Sequence, residues 1–216
     1  MWEDAESFLL KDKYLGPLVK KYGHCKLKAR PRKYYFEDLV DAIVQQQLSM
    51  SAATSIFNRI KKRLAEKDDI KASKHKWREG STLKVNITPE KILTLSDREF
   101  RGCGLSLAKT RYIKDLAKKA QSSELQVPNL DKLSDEQIMD ELVSVKGIGV
   151  WTVHMFLIFT LARPDIFASG DLGLRNTFAQ VVKGRLNQKQ MDKFALRWKP
   201  YRTIASWYIW KSTENN

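Results

Sequence analysis

Two places in the chain carry residues whose types and spacing suit chemistry. Asp171 stands in SGDLGLR (169–175), where its side chain can cap a following helix or, facing a cleft, oppose positive charge that develops during bond cleavage. Upstream, LVSVKGIGVWT (142–152) sets Gly147 and Gly149 one residue apart between apolar runs of helical character. A helix that begins just after Gly149 leaves its first backbone N–H groups without intrahelical partners, and glycines put no side chain in the way. A phosphate can approach such an N-terminus, with Lys146 as a cation beside it. The same glycines would serve close helix packing equally well, with Lys146 merely solvated, and the turn alone leaves both readings standing.

Composition narrows the partner. The 216 residues include 39 Lys and Arg against 25 Asp and Glu, a net charge of +14. That surplus makes a polyanion the first partner to consider. The basic residues are spread along the chain, so folding has to assemble any binding surface. Cys25 and Cys103 with His24, His75 and His154 are too few and too scattered for a cysteine-based zinc site or a four-cysteine iron–sulfur cluster. This cysteine usage fits a reducing, intracellular setting. The amino end, MWEDAESFLLKDKY, is acidic and amphipathic, unlike a secretory leader. The longest apolar run, Val150 to Ala162, is interrupted by Thr152, His154 and Thr160. It is too short for a membrane span and reads as a buried helix.

Helices must position these groups. Residues 4 to 23 read as one or two helices broken at Gly16-Pro17, with Phe8, Leu9, Leu15, Leu18 and Val19 inward, and 24 to 34 as a basic loop. From Phe36, the apolar positions Phe36, Leu39, Val40, Ile43, Val44 and Leu48 follow a period of about 3.6 residues. Ala52, Ile56, Phe57, Ile60 and Leu64 carry the stripe onward. Between the two lie Gln45-Gln46-Gln47 and Ser49-Met50-Ser51, either a solvated bend or a surface that meets a partner. Residues 66 to 90 are charged and read as an elaborated loop. A short helix near 90 to 100 ends at Gly102 and Gly104. Ser106 caps the next, which buries Leu107, Ile113, Leu116 and Ala117. Ser134 and Gln137 have capping-box spacing for a helix running through Ile138, Met139, Leu142 and Val143 into the glycine turn. A helix from Gly149 to about Leu161, one beginning close to Asp171, and two over 188–197 and 201–211 complete an all-α chain.

LVSVKGIGVWT, the 19 positions from Thr152 to Asp171, and SGDLGLR together resemble the helix–hairpin–helix DNA glycosylase superfamily. IVQQQLSMSAATSIFNRI, CGLSLAKTRYIKDLA and WKPYRTIASWYIW resemble, in the same order, segments of its alkylpurine (3-methyladenine) DNA glycosylase II branch, so that the likeness covers roughly residues 36 to 211. It implies an all-α, two-lobed fold with a cleft between helical lobes. In that scheme 1–35 is a helical segment packing with the C-terminal part, 36–145 a central helical lobe, and 146–216 the hairpin's second helix, the aspartate loop and the C-terminal helices.

The resemblance also implies a reaction: hydrolysis of the N-glycosidic bond of flipped alkylated purines, such as 3-methyladenine and 7-methylguanine, in duplex DNA, leaving an abasic site. Asp171 matches the catalytic aspartate. Trp151 occupies the position where bifunctional relatives carry a nucleophilic lysine, so no lyase step is implied. The base pocket would be lined by Trp151, Met155, Leu172 and Trp210, with Met155 and Leu172 falling where some relatives carry tyrosine. That departure leaves the preferred lesion open, as a core role for Trp151 is also open. Gln47 matches the residue inserted where the base has left, and Ser49 a groove-facing position. With Lys146, Gly147 and Gly149 they form the DNA-binding set. The backbone carbonyls of Val143, Val145 and Ile148 match those that hold a monovalent cation, Na⁺ or K⁺, in relatives, and no other cofactor is implied. His154 reads as an ordinary hydrogen-bonded histidine and Trp207 as packing. The alternative is a glycosylase-like binder of damaged or abasic duplex with little or no excision. Either protein would be a monomer acting in a nucleus or, in a prokaryote, in the cytoplasm and nucleoid.

Overall fold

The structure, a computed structural model, describes residues 2–72 and 85–213, and all regular structure among them is helical. The chain is therefore all-α, as expected. In order the helices are α1 (Glu3–Leu9), α2 (Gly16–Tyr22), α3 (Tyr35–Gln45), α4 (Met50–Ala72), α5 (Pro89–Thr94), α6 (Asp97–Gly102), α7 (Leu107–Gln121), α8 (Asp135–Val143), α9 (Val150–Met155), α10 (Leu172–Val181), α11 (Gln188–Ala195) and α12 (Arg202–Lys211). Short 3₁₀ turns join several of them. Two compact units result, one formed by Met1–Arg30 with His154–Asn216 and the other by Pro31–Val153.

In the Pro31–Val153 unit, α3 packs against α4 and α7, and α7 in turn against α5 and α6. Leu39, Val40, Ile43 and Val44 of α3 and Ile113, Leu116 and Ala117 of α7 are buried, the period read from the sequence. Each large aliphatic side chain so buried contributes about 1.5–3 kcal/mol. The helix starts carry their own signals. Ser106 Oγ accepts the Lys109 amide, and Ser134 with Gln137 closes a capping box. Ser96 with Glu99 closes another, which splits the expected helix near 90–100 into α5 and α6.

The Met1–Arg30/His154–Asn216 unit is organised around α12, which packs against α1, α2 and α10. Trp198, Tyr208, Phe178, Ile204 and Ile209 are buried there. Ring pairs Phe178–Phe194 and Phe194–Trp198 stand edge to face at 5.3 and 5.6 Å between centroids, a geometry that adds about 0.5–1.5 kcal/mol beyond area burial. Tyr208 donates its hydroxyl hydrogen bond to the Gly23 carbonyl. Arg202 grips Asp165 through Nε and Nη2 at 2.7 and 2.9 Å.

Several local expectations are corrected. Residues 66–72 continue α4 and are not loop, while 73–84 of that expected loop lie outside the described residues. Gly16 and Pro17 form the first positions of α2, where proline's missing N–H costs nothing. Phe8, Leu48, Leu107 and Val143 are exposed, because each sits at a helix end or turn where the period no longer specifies a face. The apolar run from Val150 is α-helical only to Met155 and then widens into a π-helical turn, Phe156–Thr160, with Leu161 N–H reaching back to the Phe156 carbonyl. Val150 and Phe159 are exposed, so this run is not the uniformly buried helix expected. No helix among the described residues is long and apolar enough to cross a membrane.

The α6 cap yields a pH signature. Burial alone would raise the Glu99 pKa, but the Ser96 amide and hydroxyl and the Lys67 ammonium outweigh it and hold the carboxyl down at about 2. A carboxylate lowered by folding stabilises above its unfolded pKa and loses that contribution as pH falls through the folded one. Thermal melts from pH 5 to 2 should therefore show a steeper acid loss of Tm in the wild type than in Glu99→Gln, which lacks the titrating group. Parallel curves would contradict this account of the cap.

Candidate functional site

Within the Met1–Arg30/His154–Asn216 unit, Asp171 is the N-cap of α10. Its Oδ1 accepts the Leu174 amide at 2.6 Å and the Trp210 indole N–H at 3.1 Å. The cap reading of this aspartate is thus correct, and the same oxygen is also tied to an aromatic side chain from α12. Gly173 makes the arrangement fit, since a Cβ there would stand 3.2 Å from Asp171 Oδ1 and 3.8 Å from Trp210 Nε1. Trp210 is half-buried and lies 5.4 Å, centroid to centroid, from Phe159. The π-helical turn places Phe159 there with 44% of its surface exposed, and π-helical turns of this kind are frequent at functional sites. Leu172, in the first turn of α10, is 65% exposed, and Met155, at the end of α9, is half-buried. The structure so brings Asp171 and Trp210 together and adds Phe159 and Gly173, neither of which the sequence singled out. Burial, aided by the Arg202 charge, holds the His154 imidazole below its ordinary pKa against the opposing effect of Asp192.

Within the Pro31–Val153 unit, the hairpin between α8 and α9 is built on α7. Gly147 has φ +81°, and a Cβ there would fall 2.1 Å from Cδ2 of the Tyr112 ring. Only glycine meets both demands, the left-handed backbone and the lack of room. Val145 and Ile148 are buried beneath the turn, with the Ile148 amide bonded to the Val145 carbonyl. Lys146 is exposed, and its backbone N–H donates to Asp115 Oδ2 of α7. Gly149 is exposed and a Cβ there would meet nothing within 4 Å. Trp151 is half-buried in the first turn of α9.

The turn from α3 to α4 belongs to the same unit. Gln47 is exposed at φ +57°, a conformation that costs a non-glycine residue on the order of 1 kcal/mol and is worth reading as a functional constraint. Ser49 caps α4 by accepting the Ala52 amide. The turn is fastened from two sides. Lys109 of α7 donates to the Val44 and Gln46 carbonyls, and Gln46 Nε2 donates to the Gly147 carbonyl at 2.8 Å and Thr152 Oγ1 at 3.0 Å. Burial pushes the Lys109 pKa below its ordinary value. Lys109 and Gln46 were not singled out in the sequence. The available signals were the place of Lys109 in CGLSLAK, quoted for resemblance, and that of Gln46 in the Gln45-Gln46-Gln47 run, read as a solvated bend or a surface that meets a partner.

A family model described as HhH-GPD superfamily base excision DNA repair protein matches residues 40–201. The chain is 31% identical over 205 residues to the alkylbase DNA glycosidase-like protein mag2 of Schizosaccharomyces pombe, spanning 93% of this chain and 88% of that protein. It is 32% identical over 203 residues to DNA-3-methyladenine glycosylase 1 of the same organism, spanning 91% and 81%. Among solved structures, the S. pombe 3-methyladenine DNA glycosylase (Mag1) in complex with abasic DNA matches with a TM-score of 0.78 at 30% identity over 97% of this chain and 96% of that one.

The two hairpin glycines should respond differently to alanine. Gly147→Ala combines left-handed strain with overpacking against Tyr112, for a loss of about 2–4 kcal/mol. Gly149→Ala, in open space, should stay within about 0.5 kcal/mol of wild type. Urea unfolding of both variants checks this, and equal midpoints would refute the distinct roles.

Proposed function

The chain belongs to the HhH-GPD superfamily of base excision DNA repair proteins, and we propose that it is a monofunctional DNA glycosylase removing alkylated purines, 3-methyladenine and 7-methylguanine among them, from duplex DNA. The observation that carries this reading is the Asp171 carboxylate, fixed by the Leu174 amide and the Trp210 indole beside Gly173. Alkylation at N3 or N7 gives the purine a positive charge, so it departs as a neutral base when the C1′–N9 bond breaks and its electron pair moves to the ring. The difficulty that remains is the cationic sugar. A carboxylate held in advance stabilises that charge and orients the water that adds to C1′, taking up its proton. The products are the free base and an abasic site.

The surrounding residues supply recognition. Phe159 and Trp210 offer aromatic faces to a cationic base, an attraction of about 0.5–2 kcal/mol, and Met155 and Leu172 of the same unit add to the proposed pocket, while Trp151 of the Pro31–Val153 unit is a candidate stacking residue. Trp151 has no amine to form a Schiff base with the sugar, which makes the enzyme a hydrolase without a lyase step. The hairpin amides near Gly147 and Gly149, with Lys146, hold a backbone phosphate. Gln47 fills the space left by the extruded nucleotide, with Ser49 facing the groove. The substrate is thus damaged duplex DNA, and the protein retains affinity for the abasic product, the ligand in the S. pombe complex. For a hairpin cation, the donors on offer are the neutral carbonyl oxygens of Val143, Val145 and Ile148. Val145 O accepts one hydrogen bond and keeps a second lone pair, a hard, uncharged set that fits Na⁺ or K⁺. Such an ion would screen the phosphate there.

A second reading is favoured by the pocket itself. Leu172 and Met155 provide less stacking surface than the tyrosines of some relatives, which suits a binder of damaged or abasic duplex with little excision.

A product assay on a panel of alkylated duplexes separates the two. Base release at neutral pH, with strand scission only after alkali, is expected. Asp171→Asn keeps a good N-cap but loses the charge, so release should fall about 100- to 1,000-fold with duplex binding retained. Trp210→Phe should cost about tenfold in kcat through the lost indole hydrogen bond. Lys146→Ala should weaken binding across all sequences and reduce the salt slope by about one. Binding without release by the wild type over the whole panel would favour the binder.

A further inference from the structure

One face of α7 reaches both of the turns proposed to contact DNA, the one around Gln47 and the glycine hairpin. Lys109, Tyr112 and Asp115 follow each other at intervals of three residues, which keeps them on one side of the helix. Lys109 Nζ donates to the Val44 and Gln46 carbonyls. Tyr112 occupies the space that a Gly147 side chain would need, and Asp115 Oδ2 accepts the Lys146 amide. Gln46 closes the circuit by donating from one amide nitrogen to Gly147 O and Thr152 Oγ1. The wedge turn and the hairpin are therefore two ends of one hydrogen-bonded assembly.

We propose that Lys109 and Gln46 are positioning residues that set the register between the Gln47 wedge and the hairpin, so that phosphate binding and nucleotide extrusion act as one event. This rests on the glycosylase reading above. The physical basis begins at the end of α3, where the last carbonyls lack intrahelical partners and carry the negative end of the helix dipole. A lysine ammonium satisfies two of them at once. Held so, the chain turns sharply, with Gln46 at φ −50°, ψ 127° and Gln47 at φ +57°. The turn puts Gln47 outside, where it is exposed, and Gln46 half-buried, where it reaches the hairpin. Adjacent glutamines thus take opposite tasks. One meets the duplex, and the other reports the hairpin's position to it. Neither Lys109 nor Gln46 needs to touch DNA.

The test uses Lys109→Met, which keeps most of the stem and removes the donors, and Lys109→Arg, which keeps donors. Hydrogen–deuterium exchange of the DNA-free proteins is measured at the 45–49 turn and at the 146–149 hairpin. Lys109→Met should speed exchange about fivefold or more in both segments, the second through Gln46, with Lys109→Arg close to wild type. Unchanged exchange at the hairpin refutes the coupling whatever the activity. Affinities for intact and abasic duplexes are then compared, with kcat and KM for base release. Expected for Lys109→Met is at least a fivefold loss of preference for the abasic duplex, intact-duplex affinity within about twofold, and a fall in kcat at constant KM, all restored by Lys109→Arg. Equal losses on both duplexes would make Lys109 a plain phosphate contact and overturn the proposal. A wild type that neither releases bases nor prefers abasic DNA would sink the glycosylase reading instead, while the exchange data would still decide the coupling.

Discussion

At Gly147 the backbone runs against the face of Tyr112 so closely that no side chain fits between them, and much of the Pro31–Val153 unit follows from that contact. The left-handed glycine turns the chain abruptly between α8 and α9. Val145 and Ile148 point into the core on either side, and the outward corner is left to Lys146 and Gly149. The hairpin is consequently not a loop with its own conformational freedom. It is a surface moulded on α7, with the Lys146 amide tied to Asp115 and the Ile148 amide to the Val145 carbonyl, while the Lys146 side chain and Gly149 stay exposed. A hairpin fixed in this way would meet the proposed phosphate without first being ordered, which is the advantage of preorganisation.

Asp171 illustrates how a structural role and a chemical one can share an atom. As an N-cap it satisfies an amide that α10 would otherwise leave unpaired, worth about 1 kcal/mol, and its charge suits the positive end of the helix dipole. The same bond fixes the carboxylate's direction, and the Trp210 indole fixes it from a second element. The capping role therefore supplies the rigidity that an electrostatic role requires. Gly173 is part of this device, because a Cβ there would press on Asp171 Oδ1 at 3.2 Å while coming only into ordinary contact with the Trp210 indole at 3.8 Å.

The π-helical turn after Met155 has a parallel effect on the aromatic surface. Inserting one residue into the helical repeat moves Phe159 out of the buried face, where Phe156, Leu157 and Ile158 remain, and into ring contact with Trp210. A large aromatic left nearly half exposed runs against burial preference. Its position beside the indole that holds Asp171 gives the exposure a chemical context.

Periodicity and capping chemistry were enough to read most of the helices from the sequence. The α3 stripe, the Ser106 and Ser134 caps, the helix after Asp171 and the glycine turn are local patterns, set by residues within a turn or two of each other, and local patterns survive without knowledge of the fold. The family likeness rests on such patterns in a fixed order. What only the tertiary structure decided depends on partners distant in sequence. The Lys109 ammonium meets carbonyls more than 60 positions away, Gln46 meets Gly147 across 101, and Trp210 meets Asp171 across 39. Register shifts escaped for a related reason, since the π turn and the exposure of Phe8, Leu48 and Leu107 arise where a helix ends or widens and the period ceases to assign a face. A helix's existence is written in its own residues, whereas the side of it that becomes a tool is chosen by what packs against the other.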